Sequence, residues 1–462
     1  MGGLYRRYLL EVLQHTTVQG CVHLTYRTRH PLERVVWALF LATAIGCTVA
    51  TCLSTWNRYR TNPTSVSMTH DYNEWLLDFP ASYVCPSSKV DPESLNITSA
   101  RLAGENASEE RQQRVADYLR AVANASPRRL GALRRFAGDR SLPQSDLLQL
   151  VLEVKFNFSH KPSNVPPLGM TLLEEGVCYY SNARVALLAS PLPKSTLRFT
   201  FDENARHVQS TAFEIHEWLH DIFGIPSDKA EFIHMYEKHC VFVSSPDEIP
   251  NMMSAGHSAM QLSQLIMSVG VLPMSATEAL LSLRVEQRRC RQAHESPLGI
   301  SPDYYTYGLC RLQCRIDLAT KLCGCVPYFY PRQAGQKECD IKGMVCLHEH
   351  EEEMVTLPEG LTDCHCLPRC SERHYYPLDY KLLDNDNLGG AALYRWSVTQ
   401  FPRVNLRKDV LFTFVDLLVS FGGAASFFMG CSILSLVELV YYMTLRLYFY
   451  RRAALNRLPR RA

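Results

Sequence analysis

Two long uncharged apolar runs, one near each end of the chain, constrain the fold more than any other feature. The first, Val35 to Asn57, lies between Arg34 and Arg58 and contains no charged residue. As a helix it is long enough to cross roughly 30 Å of hydrocarbon. The second, Leu417 to Val437, is also uncharged and is bracketed by Asp416 and Glu438. A cleaved signal is the competing reading of the first run. That run, however, is long for the apolar part of a signal, is preceded by more than thirty residues, and has no small-x-small site after it.

Arginines flank the pair on the outer sides. Arg6, Arg7, Arg27, Arg29 and Arg34 precede the first run; Arg446, Arg451, Arg452, Arg457, Arg460 and Arg461 follow the second. Positive flanks face the cytosol, so both ends are expected inside and the middle outside. The expected division is a cytoplasmic segment 1–34, a membrane helix 35–57, an extracellular domain 58–409, a second membrane helix with flanks 410–445, and a cytoplasmic tail 446–462. Thirteen of the 17 cysteines lie between Cys85 and Cys370, ten of them from Cys290 onward, which fits an oxidising compartment. Glycosylation signals start at Asn96, Asn106 and Asn157, with a weaker one at Asn124 because Pro127 follows Ser126. A net charge of +2 with no dominant basic face argues against a nucleic-acid partner. No cofactor is expected.

Within the middle segment, Arg101 to Arg140 has helical composition with a breaker at Pro127, and a proline-containing loop spans His160 to Gly169. Leu197 to Phe201 and Cys240 to Val243 read as strands, and Ser254 to Arg289 reads as helices. The cysteine-stapled unit runs from Cys290 to Cys370, and Tyr380 to Asp409 leads back to the membrane. Spacing alone leaves the cysteine pairing open. His216-Glu217-Trp218-Leu219-His220 matches H-E-x-x-H, which on a helix places two histidines on one face for zinc with Glu217 as base. A membrane-anchored zinc metallopeptidase is therefore a remote alternative, although no third ligand sits at a recognised spacing. The run His348-Glu349-His350-Glu351-Glu352-Glu353 reads as a solvated face, with a proton or metal sensor as the sharper alternative.

Several segments, in order, resemble the epithelial sodium channel/degenerin family. Phe79-Pro80-Ala81-Ser82-Tyr83-Val84-Cys85 is similar to its post-helix segment, Glu175-Gly176-Val177-Cys178-Tyr179 to its G-x-C-Y segment, and Ser245-Pro246-Asp247-Glu248-Ile249-Pro250 to a palm-strand motif. The block from Cys290 to Cys370, with Cys323-x-Cys325-x-Pro327 and Tyr330-Pro331, resembles the thumb signature. Phe421-Gly422-Gly423 followed by Gly430-Cys431-Ser432 resembles the approach to a Gly-x-Ser filter, and the wording of this span is closest to the pickpocket branch.

The resemblance implies two transmembrane helices and a large mixed α/β, disulfide-rich ectodomain, with a β-sheet palm and a helical thumb at about 284–372. It implies that Cys85 pairs with Cys178, Cys290 with Cys370, Cys310 with Cys366, Cys314 with Cys364, Cys323 with Cys346 and Cys325 with Cys339, leaving Cys240 over. It implies a trimeric, sodium-selective, amiloride-sensitive channel at the plasma membrane, surrounded by lipid and built from the same or related subunits. A non-conducting accessory subunit is the alternative. Gly430, Cys431 and Ser432 fall at the filter, where small residues expose carbonyls to an ion; Glu438 and Asp416 are the candidate acidic rings. Asp416 is the weaker of these, because Ser420 occupies the family's usual acidic position. The candidate gating residues are Val419 at the degenerin position, Gly422, Gly423, and Gln19-Gly20 where the family has His-Gly. Trp56 and Tyr59 are expected in a loop that meets the thumb.

Overall fold

The computed structural model describes residues 8, 11–17, 19–25, 30–70, 80–86, 88–104, 107–156, 169–192, 213–218, 238–251, 254, 256–260, 263–358, 360–362, 364–384, 391–400 and 404–456. The chain forms two compact units. One comprises Met1–Ser65, Thr277–Arg288 and Asp409–Ala462; the other comprises Val66–Ala276 and Arg289–Lys408. The first unit contains helix α1 (Pro31–Thr61), which starts after His30 with proline at its first position. Thr43, Thr48, Thr51 and Thr55 return their hydroxyls to carbonyls one turn back, so none of these polar groups needs water. Trp56 and Tyr59, expected in a loop, lie in the last turns of this helix because no breaker precedes Asn62 and Pro63.

The second unit carries two sheets. In the five-stranded one, β2 (Ala81–Cys85) lies between β4 (Gly176–Ser181) and β6 (Lys238–Ser244), with β3 (Gly169–Leu173) and β7 (His257–Met260) outside them. All five residues of β2 are buried, as in a strand covered on both faces. The other sheet runs β1 (Thr64–Thr69), β11 (Asn405–Val410), β8 (Ser263–Ala276), β10 (Ala391–Gln400), β5 (Phe213–Trp218), with β9 (Glu372–Asp384) antiparallel to β8 along its length. The helical reading of 254–289 is thus wrong up to Ala276. Leu265, Met267, Val269 and Val271 are buried at alternate positions, the period of a strand. Leu197–Phe201 lies outside the described residues.

Helices of the second unit are α2 (Pro92–Ala103), α3 (Glu109–Ala123), α4 (Leu147–Val154), α5 (Tyr307–Cys323), α6 (Ile341–Glu349) and α7 (Glu351–Thr356). Asp91, Ser108, Thr306 and Asp340 cap α2, α3, α5 and α6 by accepting a backbone N–H three residues on. The shared core includes Tyr83, Tyr118, Leu119, Leu133, Tyr305, Tyr328, Phe329 and Tyr330, all nearly inaccessible. Inside it Arg315 Nη1 meets Glu174 Oε1 at 2.7 Å, and the Tyr330 hydroxyl donates to the same oxygen at 2.8 Å. Six disulfides join Cys85–Cys178, Cys290–Cys370, Cys310–Cys366, Cys314–Cys364, Cys323–Cys346 and Cys325–Cys339.

The second apolar run is two helices, α8 (Phe414–Met429) and α9 (Ile433–Tyr441); α9 continues through a wider turn at Tyr442–Arg446 into α10 (Leu447–Asn456). Among the described residues two helical stretches are long and apolar enough to cross a membrane, Pro31–Thr61 and Ile433–Arg452; Phe414–Met429 is apolar but shorter.

Candidate functional site

The break between α8 and α9 follows from its residues. α8 opens with a reciprocal cap: Asp416 donates its N–H to the Thr413 hydroxyl at 3.2 Å, and Asp416 Oδ2 accepts the Thr413 N–H at 2.8 Å and its hydroxyl at 2.7 Å. It ends at Gly430, whose left-handed φ of 60° suits glycine and turns the chain out of the helix. Cys431 and Ser432 are non-helical. Ser432 then starts α9, its hydroxyl accepting the Ser435 N–H at 3.2 Å while the Ser435 hydroxyl accepts the Ser432 N–H at 3.2 Å. Three non-helical residues thus interrupt an apolar run. In hydrocarbon, non-helical backbone of this kind is tolerated only inside protein or beside water.

The N-terminal segment folds onto this break. Thr17 donates its N–H to Glu438 Oε2 at 3.1 Å and its hydroxyl to the same carboxylate at 2.6 Å, with Ser435 Oγ 2.9 Å from that hydroxyl. The Gln19 side chain lies against Gly430 so closely that a Cβ there would fall 2.7 Å from Gln19 Cδ. Gly20, at φ +88°, turns the chain into Cys21–Leu24, where His23 stacks on Trp37 of α1 at 4.2 Å. Arg446 pairs with Glu11 at 2.8 Å, and the Tyr8 hydroxyl donates to the Tyr442 carbonyl.

Gln19, Gly20, Gly430, Cys431, Ser432 and Glu438 therefore belong to one site, although more than 400 residues separate its two parts. Sequence reasoning gave no role to Thr17 or Ser435; the only local signal was the serine three residues after Ser432. Asp416 is elsewhere, its carboxylate committed to the cap. Val419 is 68% exposed on α8, and a Cβ on Gly422 or Gly423 would meet nothing within 4 Å among the described residues. Near Trp56 and Tyr59, the rings of Tyr59 and Phe412 approach to 6.4 Å, and the Pro63 carbonyl accepts the N–H groups of Leu411 and Phe412.

In the second unit, Ser245 to Pro250 edges a cavity of about 640 Å³. Burial pushes the Glu248 carboxyl up to about 7, against the Gly308 N–H that donates to it. Burial also raises Asp247, but Arg184 at 3.0 Å and Arg369 at 3.1 Å outweigh it and hold that carboxyl below its usual range. The Glu372 carboxylate, 2.5 Å from His374 Nε2, raises the imidazole above its ordinary value. The three thiol sulfurs brought together at Cys310, Cys314 and Cys366 are consumed in disulfides and offer no thiolate to a metal. Cys240 stands opposite Cys85 in the β2–β6 register without a disulfide, and burial pushes its thiol up to about 11.

The metallopeptidase reading fails. His216, Glu217 and Trp218 lie in strand β5, where the chain advances about 3.3 Å per residue, so the helical face that H-E-x-x-H needs does not form. His220 is outside the described residues. The acidic run after His348 forms i,i+3 pairs, His348–Glu351 at 3.1 Å and His350–Glu353 at 3.6 Å, as a solvated helix face does. Asn96 is exposed on α2 and Asn124 ends α3; Asn106 and Asn157 lie outside the described residues.

A family model described as "Amiloride-sensitive sodium channel" matches residues 12–442. Among curated relatives, the chain is 27% identical over 216 residues to the sodium channel protein Nach of Drosophila melanogaster, covering 44% of this chain and 40% of that one. It is 32% identical over 187 residues to Nach of Drosophila virilis (38% and 48%) and 28% identical over 184 residues to pickpocket protein 11 of D. melanogaster (37% and 35%). The matched stretch spans less than half the length of each of these relatives.

Proposed function

Because the chain belongs to the amiloride-sensitive sodium channel family, we propose that it is a pore-forming subunit of a trimeric, sodium-selective, amiloride-blocked channel of the plasma membrane. Such family members are channels and not enzymes. The observation that carries the proposal is the non-helical break at Gly430–Ser432 inside an apolar run, with the N-terminal segment seated against it. Three copies would bring three such breaks around one axis, and the backbone carbonyls there would stand in for part of the sodium ion's water shell. Glu438, hydrogen-bonded by Thr17, would hold a negative ring below the break. Both termini lie in the cytosol in this reading. The disulfide-rich unit is the extracellular palm and thumb, through which a stimulus shifts the pore between two arrangements.

Two-electrode recording from oocytes expressing the chain alone, exchanging sodium for potassium with and without amiloride, tests this. A sodium-selective, blockable current supports it. A current that does not discriminate the two ions rejects the filter assignment. Silence with confirmed surface expression favours an accessory subunit that needs a partner to conduct.

A further inference from the structure

The second unit carries a cleft that conduction does not use. Helix α3 ends at Asn124, and the chain reverses through Ser126–Arg129, where the Arg129 N–H donates to the Ser126 carbonyl at 2.8 Å. It then forms the 3-10 turn Leu130–Phe136. Three residues per turn align Leu130, Leu133 and Phe136 on one side, at 2%, 0% and 3% exposure. The same period leaves Arg134 and Arg135 exposed. Against this turn packs α6, whose Ile341, Met344 and Leu347 are buried and whose His348 meets Gly131. A Cβ at residue 131 would fall 2.8 Å from His348 Nε2, so only glycine leaves the ring its place. Glu351 Oε2, 3.1 Å from Nδ1, fixes the ring from its other edge.

These pieces enclose a cleft of about 490 Å³. Its charged lining is Arg120, Arg128, Arg129 and Arg135 with a single acid, Asp117, which already pairs with Arg120 at 3.0 Å. Arg135 is held over the Phe136 ring at 4.7 Å, which limits the entropy it loses on binding. Within electrostatic reach of Arg129 is Lys89, 4% exposed, whose ammonium has no side-chain hydrogen bond or ion pair among the described residues. Burial first, and Arg129 with it, pull its ammonium down to about 8, although Glu175 opposes them. A concave wall with this excess of cations concentrates anions. Guanidinium forks match carboxylates with two parallel hydrogen bonds. The uncharged wall is Ala121, Gly131 and Ala132, small enough for a main chain to come close, and Asn124 offers an amide to it.

The geometry points to an anion-binding site that takes an acidic peptide segment, with its side-chain carboxylates seated among Arg120, Arg128, Arg129 and Arg135. A sulfated sugar is the competing polyanion, but its bulky rings fit the small-residue wall of Ala121, Gly131 and Ala132 less closely than an extended main chain does.

Fluorescence anisotropy of a labelled penta-glutamate peptide, titrated with the full chain in detergent, tests the site without reference to current, so its result stands apart from the conduction test. Saturable binding is expected, weakening as salt rises from roughly 0.01 M to 0.15 M, where the screening length falls from about 30 to about 8 Å. R135A should bind about tenfold more weakly, one lost charge-assisted pair, and R129A/R135A weaker still. R134A, the same charge change one residue away and outside the cleft, should bind like the wild type. G131A, which displaces His348 without altering charge, should also weaken binding, and an unchanged thermal midpoint for each variant separates loss of the site from loss of fold. No saturable binding, or equal losses for R134A and R135A, overturns the site. Displacement of the peptide by a heparin-derived hexasaccharide at lower concentration than by unlabelled peptide overturns the peptide assignment.

Discussion

In β2 all five residues are buried, whereas among the described residues none of the thirty-one in α1 is. The unit around β2 builds a buried core, the ion pair Arg315–Glu174 and six disulfides from its own residues. The unit around α1 exposes Leu39, Phe40, Phe427, Ile433 and Leu434 at 63–83%, and its internal order comes from caps and from the Thr17–Glu438 contact. The first is held by its own core and covalent bridges, while the second presents apolar surface that lipid or further copies would cover. Damage to the disulfide-rich unit should therefore read as lost folding, and damage to the helical unit as altered current from a folded chain.

The largest effect expected is removal of the Cys290–Cys370 bridge, which closes 80 residues. By the chain-entropy account, C290S/C370S should cost about 4.5 kcal/mol and C325S/C339S, closing 14 residues, about 3 kcal/mol. Thermal unfolding in detergent and surface labelling check this; equal losses would remove loop length as the cause. Arg315→Met removes the cation paired with the buried Glu174 carboxylate, a cost of about 3 kcal/mol. R315M/E174L should recover most of it, and a double variant as unstable as the single one would argue that packing, not charge, sets the cost.

Glu248 adds a pH dependence of defined sign. Its folded carboxyl binds a proton more tightly than the unfolded one, so its contribution is fully present below pH 4.5 and is lost as pH rises toward about 7. The loss is on the order of 3 kcal/mol. The difference in stability between wild type and E248Q, followed from pH 4 to 8, should fall across that window; a flat difference refutes the burial of a protonated acid.

The helical unit should respond on a smaller energetic scale. Gly430→Ala places a Cβ on a residue at φ 60° and against Gln19, costing about 1–2 kcal/mol. The chain should still reach the surface with normal disulfides but with changed sodium-to-potassium preference. Unfolding of G430A would break the contrast between the units. Smallest is Val419→Ala, which removes an exposed side chain; stability should stay within about 0.5 kcal/mol. Resting current should drop if the bulk of Val419 hinders closure, and an unchanged current would show that it does not.

Much of this molecule is legible in its residues. The uncharged run at Val35–Asn57 needs no partner to be read as a helix, and Pro92, Ser108 and Gly324 mark helix ends by local rules. The alternation through Leu265–Val271 was also present, but a row of Met, Leu and Gln around it carries helical propensity that tertiary pairing with β9 and β10 overrides. The broken second run was half legible. Gly430 and the Ser432/Ser435 cap are visible as residue types, yet the same spacing serves ordinary helix packing. The seating of Thr17 on Glu438 and of Arg315 on Glu174 could not be read, because no local pattern links residues 421 and 141 positions apart.

That separation also sets a timetable for biosynthesis. Thr17 leaves the ribosome 421 residues before Glu438. At roughly 5–20 residues per second, its partner is roughly 20 to 80 s away. Throughout that interval Thr17 and Gln19 lack their partners at Glu438 and Gly430, and the cysteine-rich middle is made and can oxidise first. The break at Gly430 is thus completed by a segment made some 400 residues before it. A ribosome that stops before residue 430 yields a chain with all six bridges available but without the residues that Thr17 and Gln19 meet.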